Sequence, residues 1–404
     1  MMRGGRIWTA TAAVVISGAL FSGAASAQCQ NTGSFDRWLE DFKREAAAQG
    51  VSPATIRAAL DGIRFDQRVI DRDRAQRVFS QSFLEFSDRM VNKYRMQHGA
   101  KHLKNHASLF QRIEREFGVP GPVIVAFWGL ETDYGANIGD MQTLRSLATL
   151  AYDCRRPEEF RPELLAALRI IDRGDLRPDQ MISPWAGELG QTQFLPTVYY
   201  SSAVDYDGDG RRDLLRSVPD ALASTANYLR ELGWRAGEPW LEEVRVPGDL
   251  PWDQADLGIR HPRSQWSQWG VTRADGRPLP ADGLPAALLL PMGRNGPAFL
   301  AYPNFDVYLE WNNALVYATT AAYFATRLAG APPVSRGSGA QALGYNEIRE
   351  LQQLLVRHGY DVGKVDGILG ARTRAAVKSV QVRLGLPADS YPTPELLARL
   401  RQGG

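Results

Sequence analysis

A mainly helical chain with one small β element and a separate helical module at its C-terminus is predicted by three observations. Apolar residues recur at helical spacing through most of the chain, as with Trp38, Leu39, Phe42 and Ala46. Segments fit for strands are few and short, Ala286–Leu290 and Ala298–Ala301. Finally, AGAPPVSRGSGA, residues 329–340, reads as a linker, flexible through Gly and Ser and stiffened by two prolines. With 404 residues the chain has room for more than one domain. The expected boundaries are 1–27, an N-terminal leader; 28–328, the main domain; 329–341, the linker; and 342–404, the small module.

The N-terminus has three parts. Arg3 and Arg6 precede an apolar stretch from Ile7 to Leu20, and small residues lead to Ala25, Ser26 and Ala27. This is the pattern of a secretory signal peptide cleaved after Ala27, which implies an exported, periplasmic protein. The competing reading, a membrane anchor, asks for an apolar span of about 20 residues, longer than this one. The only cysteines, Cys29 and Cys154, would both remain after cleavage, and an even count in an oxidising compartment favours a disulfide between them. A formal charge of +2 and the lack of a basic run give no support to a nucleic-acid partner.

From Phe35 to about Phe117 the pattern is amphipathic and helical, with Ser52 and Pro53 as N-cap and first position of one helix. Phe79, Phe83, Phe86 and Met90 form an aromatic stripe on another. Then comes PGPVIVAFWGLETDYG, where the apolar run Val123–Leu130 lacks polar positions for a wet face and ends in a carboxylate, Glu131. The helix should be buried, and an acid held against Phe127 and Trp128 would resist ionisation, as a general acid must. The bland alternative is an ordinary surface Glu on a last turn that reaches solvent.

Leu144–Tyr152 and Pro162–Ile171 read as helices. SPWAGELGQTQFLP, residues 183–196, reads as a structured loop entering a helix, and Ser217–Leu232 as a helix ending at Gly233. Prolines, glycines and tryptophans interrupt every period between Glu238 and Pro303. Asn304–Leu309 continues into a helix at Asn312–Leu328. In the tail, Ile348, Leu351, Leu354 and Leu355 form one face, and Ala376, Val377, Val380 and Leu384 another, joined by the turn-rich HGYDVGKVDGILGART. A module so small is usually for binding, and His358, Asp361 and Asp366 on its turn read as caps and solvated ends.

Asp205, Asp207 and Asp209, with Gly210, begin like an EF-hand calcium loop. Position twelve is Arg216, so the bidentate acid is missing at its usual place; Asp220 serves if the loop is extended. Without calcium, the same residues make an acidic solvated turn with Asp220 capping the next helix.

AFWGLETDYG, SPWAGELGQTQFLPTVYYSSAVDYDGDGRRDLL and SVPDALASTANYLRELGW, in this order, resemble the lytic murein transglycosylase B family, whose core is similar to lysozyme. The tail, with LQQLLVRHGYDVGKVDGILGARTRAAVKSVQ, resembles the small peptidoglycan-binding domains found at the ends of cell-wall enzymes. The resemblance implies a lysozyme-like, α-rich catalytic domain, Glu131 as the single catalytic acid, and Gln193 as a sugar contact. It also implies an extended calcium loop, structural in role, with no cofactor needed for catalysis. Trp185, Phe194, Trp311, Asn312, Phe86 and Tyr134 are the further expected substrate-binding residues. Where relatives carry a serine and tyrosines, this chain has Pro184, Phe86 and Trp311, which keep rings for stacking and lose hydroxyls.

An ordinary glycosidase uses two carboxylates, and no convincing second one stands beside Glu131. A lytic transglycosylase manages with one because the C6 hydroxyl of muramic acid is the nucleophile, giving a 1,6-anhydro end. The expected partner is peptidoglycan, with the enzyme a monomer that joins transient cell-wall enzyme complexes. A hydrolytic muramidase on the same scaffold, or a wall-binding protein with a degenerate cleft, are the alternatives.

Overall fold

The computed structural model describes residues 31, 33–75, 81–339 and 341–403. The leader 1–27, Cys29 and Phe79 lie outside the described residues. Cys154 is disulfide-bonded, and its backbone N–H donates to Asn31 Oδ1 at 2.8 Å.

The first helices follow from their caps and stripes. Ser34 caps α1 (Phe35–Ala48), which buries Phe35, Leu39, Phe42 and Ala46, and Ser52 caps α2 (Pro53–Leu60) with Pro53 in the first turn. α3 (Gln67–Arg74), α4 (Phe83–Met90), α5 (Lys93–Asn105) and α6 (Ala107–Phe117) follow. At the end of α6, Gly118 has φ +74°, and a Cβ there would lie 2.6 Å from Ala236, so the turn requires glycine. α7 (Gly121–Thr132) comes next and is buried along nearly its whole length, as its unbroken apolar run predicts. α5, α6, α11 (Val218–Glu231) and α14 (Leu315–Leu328) pack around it. One core joins Val123, Phe127, Leu222, Phe305 and Phe324. A second forms where α1, α2, α8 (Thr143–Tyr152), α9 (Pro157–Asp172) and α10 (Pro196–Ser202) meet, around Phe42, Leu147, Leu164 and Tyr199.

Two short strands, β1 (Met141–Gln142) and β2 (Ile182–Ser183), pair antiparallel, Met141 opposite Ser183. β3 (Leu241–Arg245), β4 (His261–Pro262), β5 (Thr272–Arg273), β6 (Pro285–Leu289) and β7 (Ala298–Ala301) form an antiparallel sheet in the order β4-β6-β7-β3-β5, with α12 (Arg263–Gln268) at its side. β6 and β7 are the two expected strands. β3 escapes a periodicity reading because Glu242 and Glu243 stand between its two buried residues, Leu241 and Val244.

Two boundaries differ from expectation. α9 starts at Pro157, with Glu158 and Glu159 in its first turn, so Pro162 lies inside it; a proline at the first position and acids facing the helix dipole are the stronger start signal. α13 (Pro303–Trp311) and α14 are separate helices, because Asn312 is extended and its Oδ1 accepts from the Ala314 N–H at 3.0 Å. The tail has three helices, α15 (Tyr345–Arg357), α16 (Ala371–Arg383) and α17 (Pro394–Arg401), around Leu351, Leu355, Val377, Val380 and Leu400.

The segment expected to be a flexible linker is bonded along its length. The Val334 N–H donates to Tyr323 Oη at 3.2 Å, the Ser335 N–H to Glu243 Oε1 at 2.7 Å and the Ser338 N–H to Asn295 O at 2.8 Å. Gly337 passes so close to the 293–296 turn that a Cβ would lie 2.1 Å from Asn295 O. The module is docked as well: Arg374 Nη2 donates to Leu290 O at 2.7 Å, Lys378 pairs with Asp256 at 2.9 Å, and the Arg294 N–H donates to Asp389 at 2.9 Å. Composition reports what a backbone permits; the partners here come from elsewhere in the chain. Asp361 and Asp366 accept backbone N–H groups of Gly363 and Ile368, as caps do.

Candidate active site

Glu131 sits one residue before the end of α7. The helix end is held from outside: Arg95 Nε donates to Gly129 O at 3.0 Å and Asp133 Oδ1 at 2.7 Å, while its Nη1 donates to Met90 O at 3.0 Å. Asp133 and Tyr134 both take positive φ, 50° and 65°, so the chain turns sharply just past the acid.

Two donors from the other side of the core converge on one oxygen. Trp311 Nε1 donates to Glu131 Oε1 at 3.1 Å, and the Tyr317 hydroxyl donates to the same atom. Burial pushes the Glu131 carboxyl up to about 7; the charge of Glu188 adds to this, and the two hydrogen bonds oppose it. With Oε1 accepting twice, the proton of the neutral acid belongs on Oε2, the oxygen left for a substrate. Burial and the neighbouring Glu131 hold the Tyr317 hydroxyl well above its usual range, so it stays a donor. The arrangement can deliver one proton near neutral pH and take one back.

The loop after β2 is locked onto α7. Trp128 Nε1 donates to Gln191 Oε1 at 3.0 Å, Thr132 Oγ1 donates to Gln191 O, and Gln191 Nε2 donates to Leu215 O at 3.3 Å. Gln193, at φ 53°, donates from Nε2 to Gly190 O at 2.8 Å. The Leu189–Phe194 bridge closes the turn between them.

The expected substrate-binding residues divide. Trp311 is brought to Glu131, with its ring 4.3 Å from that of Phe127, and its indole N–H donates to the acid. Trp185 is half-buried at the edge of the second core, and Gln193 lies on the same loop. Asn312 caps the entry to α14 through Ala314. Three expectations are corrected. Phe194 and Phe86, at 2% and 6% exposure, are core rings with no face for a sugar. Tyr134 turns away from the acid: its hydroxyl donates to Arg95 O and its ring stands edge-on to Trp128.

Tyr317, Gln191, Arg95 and Glu188 were not singled out from the sequence. Nothing in their local spacing marks them, except that a Gln inside an otherwise apolar and glycine-rich stretch needs partners if buried. The half-buried Glu188 is a second carboxylate near the site, against the expectation of none, and burial raises its own carboxyl too.

Of the proposed calcium ligands, Asp205, Asp207 and Asp209 present oxygens within 4.8 Å of one another. That spacing fits carboxylates on one hard cation with metal–oxygen distances of about 2.4 Å. Asp220 stands outside that group. It is fully buried, and its oxygens accept the N–H groups of Tyr206 at 2.8 Å, Asp207 at 3.2 Å and Asp213 at 2.9 Å, which shape the loop.

Residues 34–326 match the family model described as the transglycosylase SLT domain, and residues 344–400 match that of a peptidoglycan binding domain. The chain is 42% identical to SltB3 from Pseudomonas aeruginosa, solved in complex with NAG-anhNAM-pentapeptide. The match has a TM-score of 0.85 and covers 91% of this chain and 99% of that one. To membrane-bound lytic murein transglycosylase B of Escherichia coli (strain K12) it is 29% identical over 59% of this chain; the match spans 64% of that relative, just under two thirds. The Escherichia coli lytic transglycosylase Slt35, solved in complex with calcium, is 25% identical with a TM-score of 0.61, covering 72% of this chain and 92% of that one.

Proposed function

The chain belongs to the lytic transglycosylase family defined by the transglycosylase SLT domain, and from that premise we propose that it cuts the β-1,4 bond between N-acetylmuramic acid and N-acetylglucosamine in peptidoglycan, leaving a 1,6-anhydro muramic end. The observation that carries this is one half-buried carboxyl, poised near neutrality, with two neutral donors on a single oxygen. Glu131 gives its proton to the glycosidic oxygen as the C1–O bond breaks. The carboxylate then takes the proton of the C6 hydroxyl as that oxygen bonds to C1, so the acid is restored and no water is consumed. The N-acetyl group of the substrate stabilises the intermediate, as in other substrate-assisted glycosidases.

Glu188 favours a second reading, in which it activates water and the enzyme is a hydrolytic muramidase. The two differ in product mass. Digestion of purified murein should release muramic ends lighter by one water than hydrolytic ends; a digest of chiefly reducing ends would establish the muramidase. A tethered hydroxyl has an effective molarity on the order of 10⁵ M or more in well-oriented cases, which lets it outrun water.

The N-terminal pattern supports export, with the mature enzyme acting in the periplasm. Among the described residues, no helix is long and apolar enough to cross a membrane.

A structural calcium in the Asp205–Asp209 loop is part of the proposal, supported by the three converging carboxylates and by the calcium complex of Slt35. Millimolar calcium should raise Tm, since an ion that binds only the folded chain at about 100 times its Kd adds roughly 2.7 kcal/mol. No rise, or the same rise in the Asp205→Ala/Asp209→Ala variant, would remove calcium from the account.

A further inference from the structure

A cleft of about 160 Å³ opens between α3 and the start of α8, with β1 along its floor. Its lining carries three arginines, Arg68, Arg72 and Arg145, against two acids, Asp66 and Asp140. Asp66 is already neutralised, because Arg68 grips it with both Nε and Nη2, at 3.0 and 2.7 Å. That leaves two guanidinium groups facing one exposed carboxylate.

Neither of these two guanidinium groups donates a hydrogen bond to a carboxylate among the described residues, although the charge of Arg145 adds to the hydrogen bonds and charge of Arg68 in lowering the Asp66 carboxyl. Arg72 Nη1 reaches only Met141 Sδ, at 3.3 Å, a weak acceptor. Arg145 Nε is buried with no hydrogen-bond partner. Beside it Ser146, at 1% exposure, lines the cleft and has an unpartnered hydroxyl. Buried donors left without acceptors cost free energy unless something supplies the acceptors. A planar carboxylate matches what is missing, since it accepts from two guanidinium groups and a hydroxyl at once.

The place of the cleft in the fold indicates where that carboxylate comes from. The chain runs from Glu131 through the turn at Gly135 directly to Asp140 and β1, and β1 pairs with β2, which opens into the 184–194 loop. Gly139, at φ +99°, leaves no room for a Cβ, which would lie 2.1 Å from the Ser183 carbonyl carbon. The cleft is therefore tied at both ends to the segments around the acid. We propose that it is a carboxylate-binding site for the acidic peptide branches of the glycan strand. The assignment rests on the peptidoglycan reading above, and it makes Arg72 and Arg145 determinants of preference for peptide-bearing over bare strands.

The test compares the full chain with Arg72→Gln and Arg145→Gln on two substrates, peptide-bearing glycan strands and the same strands stripped of peptide by an amidase. Losing one charge-assisted contact should lower kcat/KM on peptide-bearing strands by about tenfold, through KM. Activity on stripped strands should stay unchanged. Equal losses on both substrates, or none on either, would overturn the proposal; Arg72 is exposed, so its variant decides the matter should Arg145→Gln fail to fold. A wild-type chain that cut neither substrate would refute the enzymatic reading alone. In that case calorimetric titration with an acidic tripeptide still decides the cleft: weaker binding to Arg72→Gln upholds the proposal, and equal binding overturns it.

Discussion

Glu131→Gln is expected to lower turnover on murein by about 10⁴-fold, the upper end of what general acid–base catalysis supplies, because one group serves both proton transfers. Binding to murein should persist, since the amide keeps the shape and its oxygen can still accept from Trp311 and Tyr317. The same substitution should stabilise the fold. The carboxyl titrates near 4.5 in the unfolded chain and at about 7 in the folded one, so between those values the folded chain retains a proton that the unfolded chain releases. Stability is thus fully present below pH 4.5 and declines as pH rises through 7, by roughly 3 kcal/mol. Denaturant unfolding should show the variant matching the wild type at pH 4 and exceeding it at pH 8. Equal stability at pH 8 would mean that the acid is not held neutral by burial. Wild-type activity should fall in step with loss of the proton above pH 7.

Gln191→Ala should be the most damaging change outside the acid itself. It leaves the Trp128 indole N–H and the Leu215 carbonyl buried without partners, each at a cost of about 1–3 kcal/mol, and adds a cavity. A loss of roughly 3–5 kcal/mol is expected, read as a drop in denaturation midpoint. Turnover at temperatures where the variant remains folded should fall at least tenfold by order of magnitude, because the loop loses its register against α7. A variant with wild-type stability would show that the clamp is held by backbone contacts alone.

Glu131 was legible because its helix is apolar on every side, which leaves a terminal acid nowhere to go but a dry environment. Tyr317, which holds that acid together with Trp311, was not, because periodicity describes the face of one helix and says nothing of which helix it meets. The rings of Phe86 and Phe194 show the reverse failure. An aromatic at helical or loop spacing has the same appearance whether it lines a cleft or fills the core behind it, and both of these fill the core. β3 was hidden by paired glutamates whose carboxylates find partners at its surface, Glu243 with the Ser335 N–H and Glu242 with the Tyr302 hydroxyl. Family resemblance carried the site further than pattern did, and it still misassigned the stacking faces.

The sewn-down 334–338 segment changes how the tail can assist catalysis. A loosely leashed binding module raises local substrate concentration over a whole sphere of reach, and lengthening the leash alters that volume. Here Gly337 under Asn295, Arg374 on Leu290 and Lys378 on Asp256 fix both distance and bearing. The molecule therefore acts as a calliper with one opening. A strand that met both the module and the cleft would have to present its two points at that one separation.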